Sequence, residues 1–157
     1  MKTILYIITV IILLSGTISC QKQDETTQLV VEEFKNKGIK FDPEEKLCII
    51  LPEVGCEGCI AAGVYFFLQH KESFLNTQKK NKIIFTSIRS KKLLLRNLEE
   101  DTLDKYNHIL DTENKFLTTD NNSIYPLILI LNQGNIVKAQ YQSPHSEDIF
   151  TQIERVL

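Results

Sequence analysis

The sequence predicts an α/β fold, a three-layer sandwich in which helices flank a mixed central sheet. Three observations carry that expectation. Leu47–Leu51 is a short, wholly apolar run, and an apolar stretch of helical spacing follows it directly. Lys82–Arg89 followed by a leucine-rich amphipathic stretch repeats the strand-then-helix order. Two further strand-like segments then meet at a Gly/Asn turn before a last amphipathic stretch. The first half needs helical crossovers between parallel strands, and the second half is a hairpin closed by a helix.

Taken in order, Leu29–Lys37 has apolar positions at Leu29, Val30, Val31 and Phe34 and meets Gly38, which suits a short amphipathic helix stopped by glycine. Leu47–Leu51 ends at Pro52 and reads as a strand buried on both faces. Cys59–Lys71 places Ile60, Val64, Phe67 and Leu68 at helical spacing, with Ala61, Ala62, Tyr65 and Phe66 between them, so this helix is expected to be buried on most sides. Ser90 is a natural cap for a helix striped by Leu93, Leu94, Leu95 and Leu98. His108–Leu110 is a short strand candidate. Tyr125–Leu131 and Ile136–Tyr141 flank the turn, and Ser143 or Ser146 is expected to start a last helix bearing Ile149, Phe150, Ile153 and Val156.

The ends carry different information. Lys2 and the apolar run Ile4–Leu14 have the layout of a signal peptide, and eleven apolar-run residues are too few to span a bilayer comfortably. Small residues lead to Cys20 and resemble the lipobox of bacterial lipoproteins, although Thr17 stands where leucine is usual. The resemblance implies an acylated Cys20 and a membrane contact through that lipid, in the bacterial cell envelope, most simply the outer membrane. Gln21–Gln28 is polar and reads as a tether. The expected organisation is a signal peptide over 1–19, an anchor, tether and short helix over 20–43, and one domain over 44–157. A formal net charge of −2 with interspersed signs supplies no basic field for nucleic acid.

Chemistry concentrates at Cys56-Glu-Gly-Cys59. Two thiols at the start of a helix meet unpaired backbone N–H groups and the positive end of the helix dipole, both of which stabilise a thiolate. With Cys20 acylated, Cys48 is left over. It lies inside the apolar Leu47–Leu51 run and reads as a small buried core residue. The three histidines are scattered, and no second Cys pair completes a four-ligand zinc site.

From about Glu44 to Leu157 the chain resembles the thioredoxin-like fold. The likeness rests on the Cys56-x-x-Cys59 pair heading the first main helix after a buried strand, on Pro126 before the penultimate strand, and on the closing hairpin and helix. The resemblance implies that Cys56 attacks a partner disulfide and Cys59 resolves the mixed disulfide. It also implies that Pro126 is a cis-proline facing the pair, and that Tyr125 offers backbone groups to an incoming peptide. Expected partners are protein or small-molecule disulfides and thiols, with a membrane reductase among the candidates for recharging the pair; no cofactor or metal is expected. Gly55 stands where family members often have tryptophan, and the strand before the motif lacks the buried acid of many thioredoxins, Glu53 lying in the loop instead. Glu57 places a negative charge beside Cys56 and is expected to raise its pKa, favouring a reductant or mild exchanger over a strong oxidant. The alternative is a non-catalytic binding or adaptor module with a structural Cys56–Cys59 disulfide.

Overall fold

The computed structural model describes residues 24–154. Expectations for the signal segment, Cys20 and Val156 lie outside those residues. Among the described residues the order is α1 (Glu25–Asn36), β1 (Leu47–Pro52), α2 (Glu57–Gln69), β2 (Asn81–Thr86), α3 (Lys91–Asn97), β3 (His108–Asp111), β4 (Leu127–Asn132), β5 (Asn135–Tyr141) and α4 (Ile149–Glu154). Two single-turn 3-10 helices, Lys71–Phe74 and Asn121–Ile124, interrupt the connections. The strands form one sheet in the order β3-β2-β1-β4-β5. β1, β2 and β3 run parallel, while β4 is antiparallel to both β1 and β5. This is a mixed-sheet α/β sandwich, consistent with a thioredoxin-like fold.

The side-chain alternation along β1 builds both cores. Leu47, Ile49 and Leu51 point into a cluster with Phe66 and Phe67 of α2, Leu94 of α3 and Phe150 of α4. Cys48 and Ile50 point the other way, toward Val30 and Phe34 of α1 and Tyr141 of β5. Each large apolar side chain taken fully out of water contributes about 1.5–3 kcal/mol, so a strand with every residue buried anchors both layers. In the first core Phe67 meets Phe74, Phe85 and Tyr106 edge-on. The hairpin turns through Gln133 at φ 50° and Gly134 at φ 76°, the pair of positive angles that a two-residue turn matching strand twist requires.

Several boundaries differ from expectation. The polar stretch read as a tether is ordered helix from Glu25, because Asp24 caps it by accepting from Thr27 N at 2.9 Å. Thr27 is itself buried, its hydroxyl accepting from Ala139 N of β5 at 2.9 Å, so α1 belongs to the sandwich. β2 stops at Thr86 rather than Arg89, since Ser87 takes a left-handed φ of 53°. α2 is not buried on most sides. Phe66 and Phe67 are core, but Tyr65 is 64% exposed and Ala61 and Ala62 face solvent, because 100° per residue carries them off the packed stripe. The last helix starts at Ile149: Ser143 and Ser146 bond each other in a turn, and Asp148 caps by accepting from Phe150 N at 3.1 Å.

Candidate functional site

β1 ends at Pro52, Glu53 N makes a last bond to Thr86 O of β2 at 2.9 Å, and Glu53-Val-Gly55 carries the chain across the sheet's end into α2. Cys56 is the extended N-cap of α2, at φ −71° and ψ 99°, and Cys59 sits one turn inside it. The two are joined as a disulfide with Cα atoms 5.3 Å apart, within the range that such a bond needs. Cys59 is 7% exposed and Cys56 is the more open of the two, which is the asymmetry expected of an attacking and a resolving thiol. Such a pair can exchange disulfides or staple a helix start. Glu57 occupies the first helical position and is exposed.

The loop before β4 closes on this helix start. Ile124 O accepts from Cys56 N at 3.0 Å. The Ile124 carbonyl also presses on Gly55, where a Cβ would begin 2.1 Å from Ile124 O. This gives the departure at Gly55 a physical reason, since no side chain, least of all tryptophan, fits between the cysteine loop and Ile124. Pro126 is buried against α2 beyond the pair, its Cγ 3.6 Å from where a side chain on Gly63 would start.

The expected cis bond at Pro126 is not found, as every peptide bond among the described residues is trans. Tyr125, at φ −104° and ψ 152°, runs extended from the 3-10 turn into β4, and X–Pro bonds favour trans by about 0.5–1 kcal/mol unless packing intervenes. Tyr125 is half-buried against the α1-side core, and its N–H already donates to Asn122 O at 2.9 Å. An incoming peptide therefore does not find that donor waiting.

Glu53 has a different task from a strand acid. Its Oε2 accepts from the backbone N–H groups of Arg89 and Ser90, holding the start of α3 beside the cysteine loop, and Ser90 caps α3 itself. Its Oε1 is buried without a hydrogen-bond partner. A groove of about 420 Å³ opens here between α2 and α3, lined by Glu53, Gly55, Glu57, Ile60, Val64 and Arg89. Cys48 is 0% exposed and unpaired. Burial pushes its thiol well above the ordinary range, buried Glu45 adds to that, and Lys82, which pairs with Glu45, opposes it. Among the described residues no three His, Cys, Asp or Glu groups come together as metal ligands, and no helix is long and apolar enough to cross a membrane.

Sequence reasoning singled out Cys56, Cys59, Glu57, Tyr125 and Pro126, and the fold gathers the cysteines, Glu57 and the Tyr125-Pro126 loop at one end of the sheet. It missed Ile124 and the bonds that hold it. The Asp120-Asn-Asn-Ser123 run, an acid followed by residues that favour turns, is the one local signal that could have pointed there. No protein-family model matches the chain, and no curated protein or solved structure matches it.

Proposed function

We propose that this chain is a thioredoxin-like thiol–disulfide oxidoreductase, tethered to the bacterial envelope through an acylated Cys20. The observation that carries the reading is the placement of the pair. Cys56 stands open at the N-cap of α2, and Cys59 lies buried one turn behind it within bonding distance. In the reduced protein the Cys56 thiolate attacks one sulfur of a partner disulfide, forming a mixed disulfide and expelling the partner's other sulfur as a thiolate. Cys59 then gives up its proton and attacks the Cys56 sulfur. The Cys56–Cys59 bond forms, the second partner thiolate leaves, and the released sulfurs take up the two protons. Two electrons pass to the partner, and the disulfide form described above is the oxidised end of that cycle. A dithiol reductant, such as a membrane reductase, returns it to the start. Glu57 opposes the helix dipole at Cys56, which favours the reductant direction.

A second reading has its own support. With the Tyr125 N–H engaged by Asn122 O, one backbone contact implied for a bound peptide is already satisfied, as suits a binding module whose disulfide only staples α2. The equilibrium reduction potential of the pair in the chain from Gln21 onward, read by thiol trapping in defined thiol buffers, separates the two. Exchange proteins lie between about −120 and −270 mV, and a value below about −300 mV marks a structural disulfide. We expect the former.

A further inference from the structure

The 3-10 turn Asn121–Ile124 is fastened at both ends. At its far end Ile124 O holds Cys56 N. At its near end a single carboxylate oxygen, Asp120 Oδ1, accepts from Asn122 N at 3.0 Å and from one of two hydroxyls, Tyr141 at 3.2 Å or Thr118 at 3.3 Å, the other hydroxyl donating to its neighbour. Tyr141 and Thr118 also share a 2.6 Å hydrogen bond, and both are buried. Tyr141 is the last residue of β5, paired across the sheet with Leu127 of β4. The turn is closed by Ser123 N donating to Asp120 O and Tyr125 N donating to Asn122 O. An unbroken series of bonds thus runs from the end of β5 to the backbone of Cys56.

We propose that Asp120 and Tyr141 are positioning residues for Cys56, setting its reactivity by fixing where the Ile124 carbonyl sits. The proposal rests on the exchange reading given above. An ordinary helix cap or loop staple does not need a buried hydroxyl pair at the end of a strand behind the capping carboxylate, and this one leads to a reactive residue. The carbonyl oxygen carries partial negative charge and lies against the helix start where a thiolate would form, so holding it there disfavours the thiolate and keeps Cys56 in check. The charged groups around the pair, Glu57 on α2, Glu53 on the loop and Arg89 before α3, lie outside the network.

The test uses Asp120→Ala, Tyr141→Phe and Asp120→Asn in the full chain. Asparagine keeps an acceptor oxygen and is an equally good cap, so it serves as the conservative rescue. In the oxidised protein, amide exchange at Cys56 is expected to accelerate about fivefold in Asp120→Ala and Tyr141→Phe, as when one hydrogen bond of ordinary net strength is lost. Amides of β1 should be unchanged. In the reduced protein the pH midpoint for alkylation of Cys56 should fall by about half a unit, giving about threefold more thiolate at neutral pH. Asp120→Asn should track wild type in both readouts. Should Asp120→Ala lower only the melting temperature, leaving the Cys56 amide and the midpoint unmoved, the network is structural and the proposal is overturned. Wild-type protein that exchanges with no disulfide would instead remove the exchange reading, while the Cys56 amide still decides whether the network positions that residue.

Discussion

The thiol of Cys48 and the pair at Cys56 and Cys59 belong to one strand and the helix that it feeds, yet they meet opposite physics. Cys48 sits in mid-strand with its backbone paired on both sides, to Lys82 of β2 and Leu129 of β4. Its neighbours in the core are apolar, and the nearest acid adds repulsion to burial. Every influence there but Lys82 keeps the sulfur protonated and inert. At the end of the same strand the ladder stops, the first N–H groups of α2 lack helical partners, and Cys56 is only half-buried. Residue type is constant across the comparison, so the position in the element decides the chemistry.

The largest effect that can break this contrast is a pair of serine substitutions. Cys56→Ser is expected to abolish reduction of a small disulfide probe such as an aromatic disulfide, because the attacking sulfur is gone. Cys48→Ser should retain the wild-type rate per folded molecule. Its cost falls on stability, about 1–3 kcal/mol for a hydroxyl in a site with no prepared partner, read by urea unfolding. If Cys48→Ser lost the activity as well, the buried thiol would have to take part in the chemistry, and the division drawn here would fail.

Much of this was legible in the sequence, for local reasons. Apolar runs bounded by Pro52 and by the Gly134 turn mark β1 and the hairpin, and the cysteine spacing marks the head of α2. What escaped depends on distant partners or on polar residues doing core work. Thr27 looks like tether until β5 supplies Ala139 N for its hydroxyl. Ser143 and Ser146 look like helix caps, but with Pro144 between them they cap each other. The Asp120-Asn-Asn-Ser123 run announces a turn before Ile124 but not that its carbonyl meets Gly55 and Cys56, since that contact exists only once β4 lies beside β1. Whether the proline bond is trans or cis is likewise a tertiary outcome.

A second pair of substitutions sharpens the contrast on the two sides of Cys56. Gly55 has no room for a methyl group, whereas nothing lies within 4 Å of a Cβ added at Gly58. Gly55→Ala must push the Ile124 backbone away, and overpacking of this kind costs about 1–3 kcal/mol. Gly58→Ala, in the first turn of α2, should be neutral or stabilising by up to about 1 kcal/mol. Thermal unfolding of the two variants checks the difference. Equal melting temperatures would mean that the loop is not seated on the helix start as described.

The smallest effect concerns the alkaline side of the stability curve. Folding raises the Cys48 thiol above its ordinary value of 9.0, so the group favours the folded state through its bound proton. Well below its ordinary value of 9.0 both states keep that proton and Cys48 adds no pH dependence. Above it the unfolded chain releases the proton and the native state does not. Stability then falls as pH rises, approaching about 1.4 kcal/mol per pH unit for one proton. Tyr141 and Tyr106, also raised by burial from 10.0, add to the decline as that value is approached, so the comparison with a Cys48 variant is what isolates the thiol. The oxidised pair does not titrate. In the oxidised chain from Gln21 onward, urea unfolding as pH rises from 9.0 to 10.0 should show the decline in wild type and a flatter line in Cys48→Ala. An equal slope in both would mean that the Cys48 thiol meets water in the folded protein, and the two ends of the strand would then differ in degree rather than in kind.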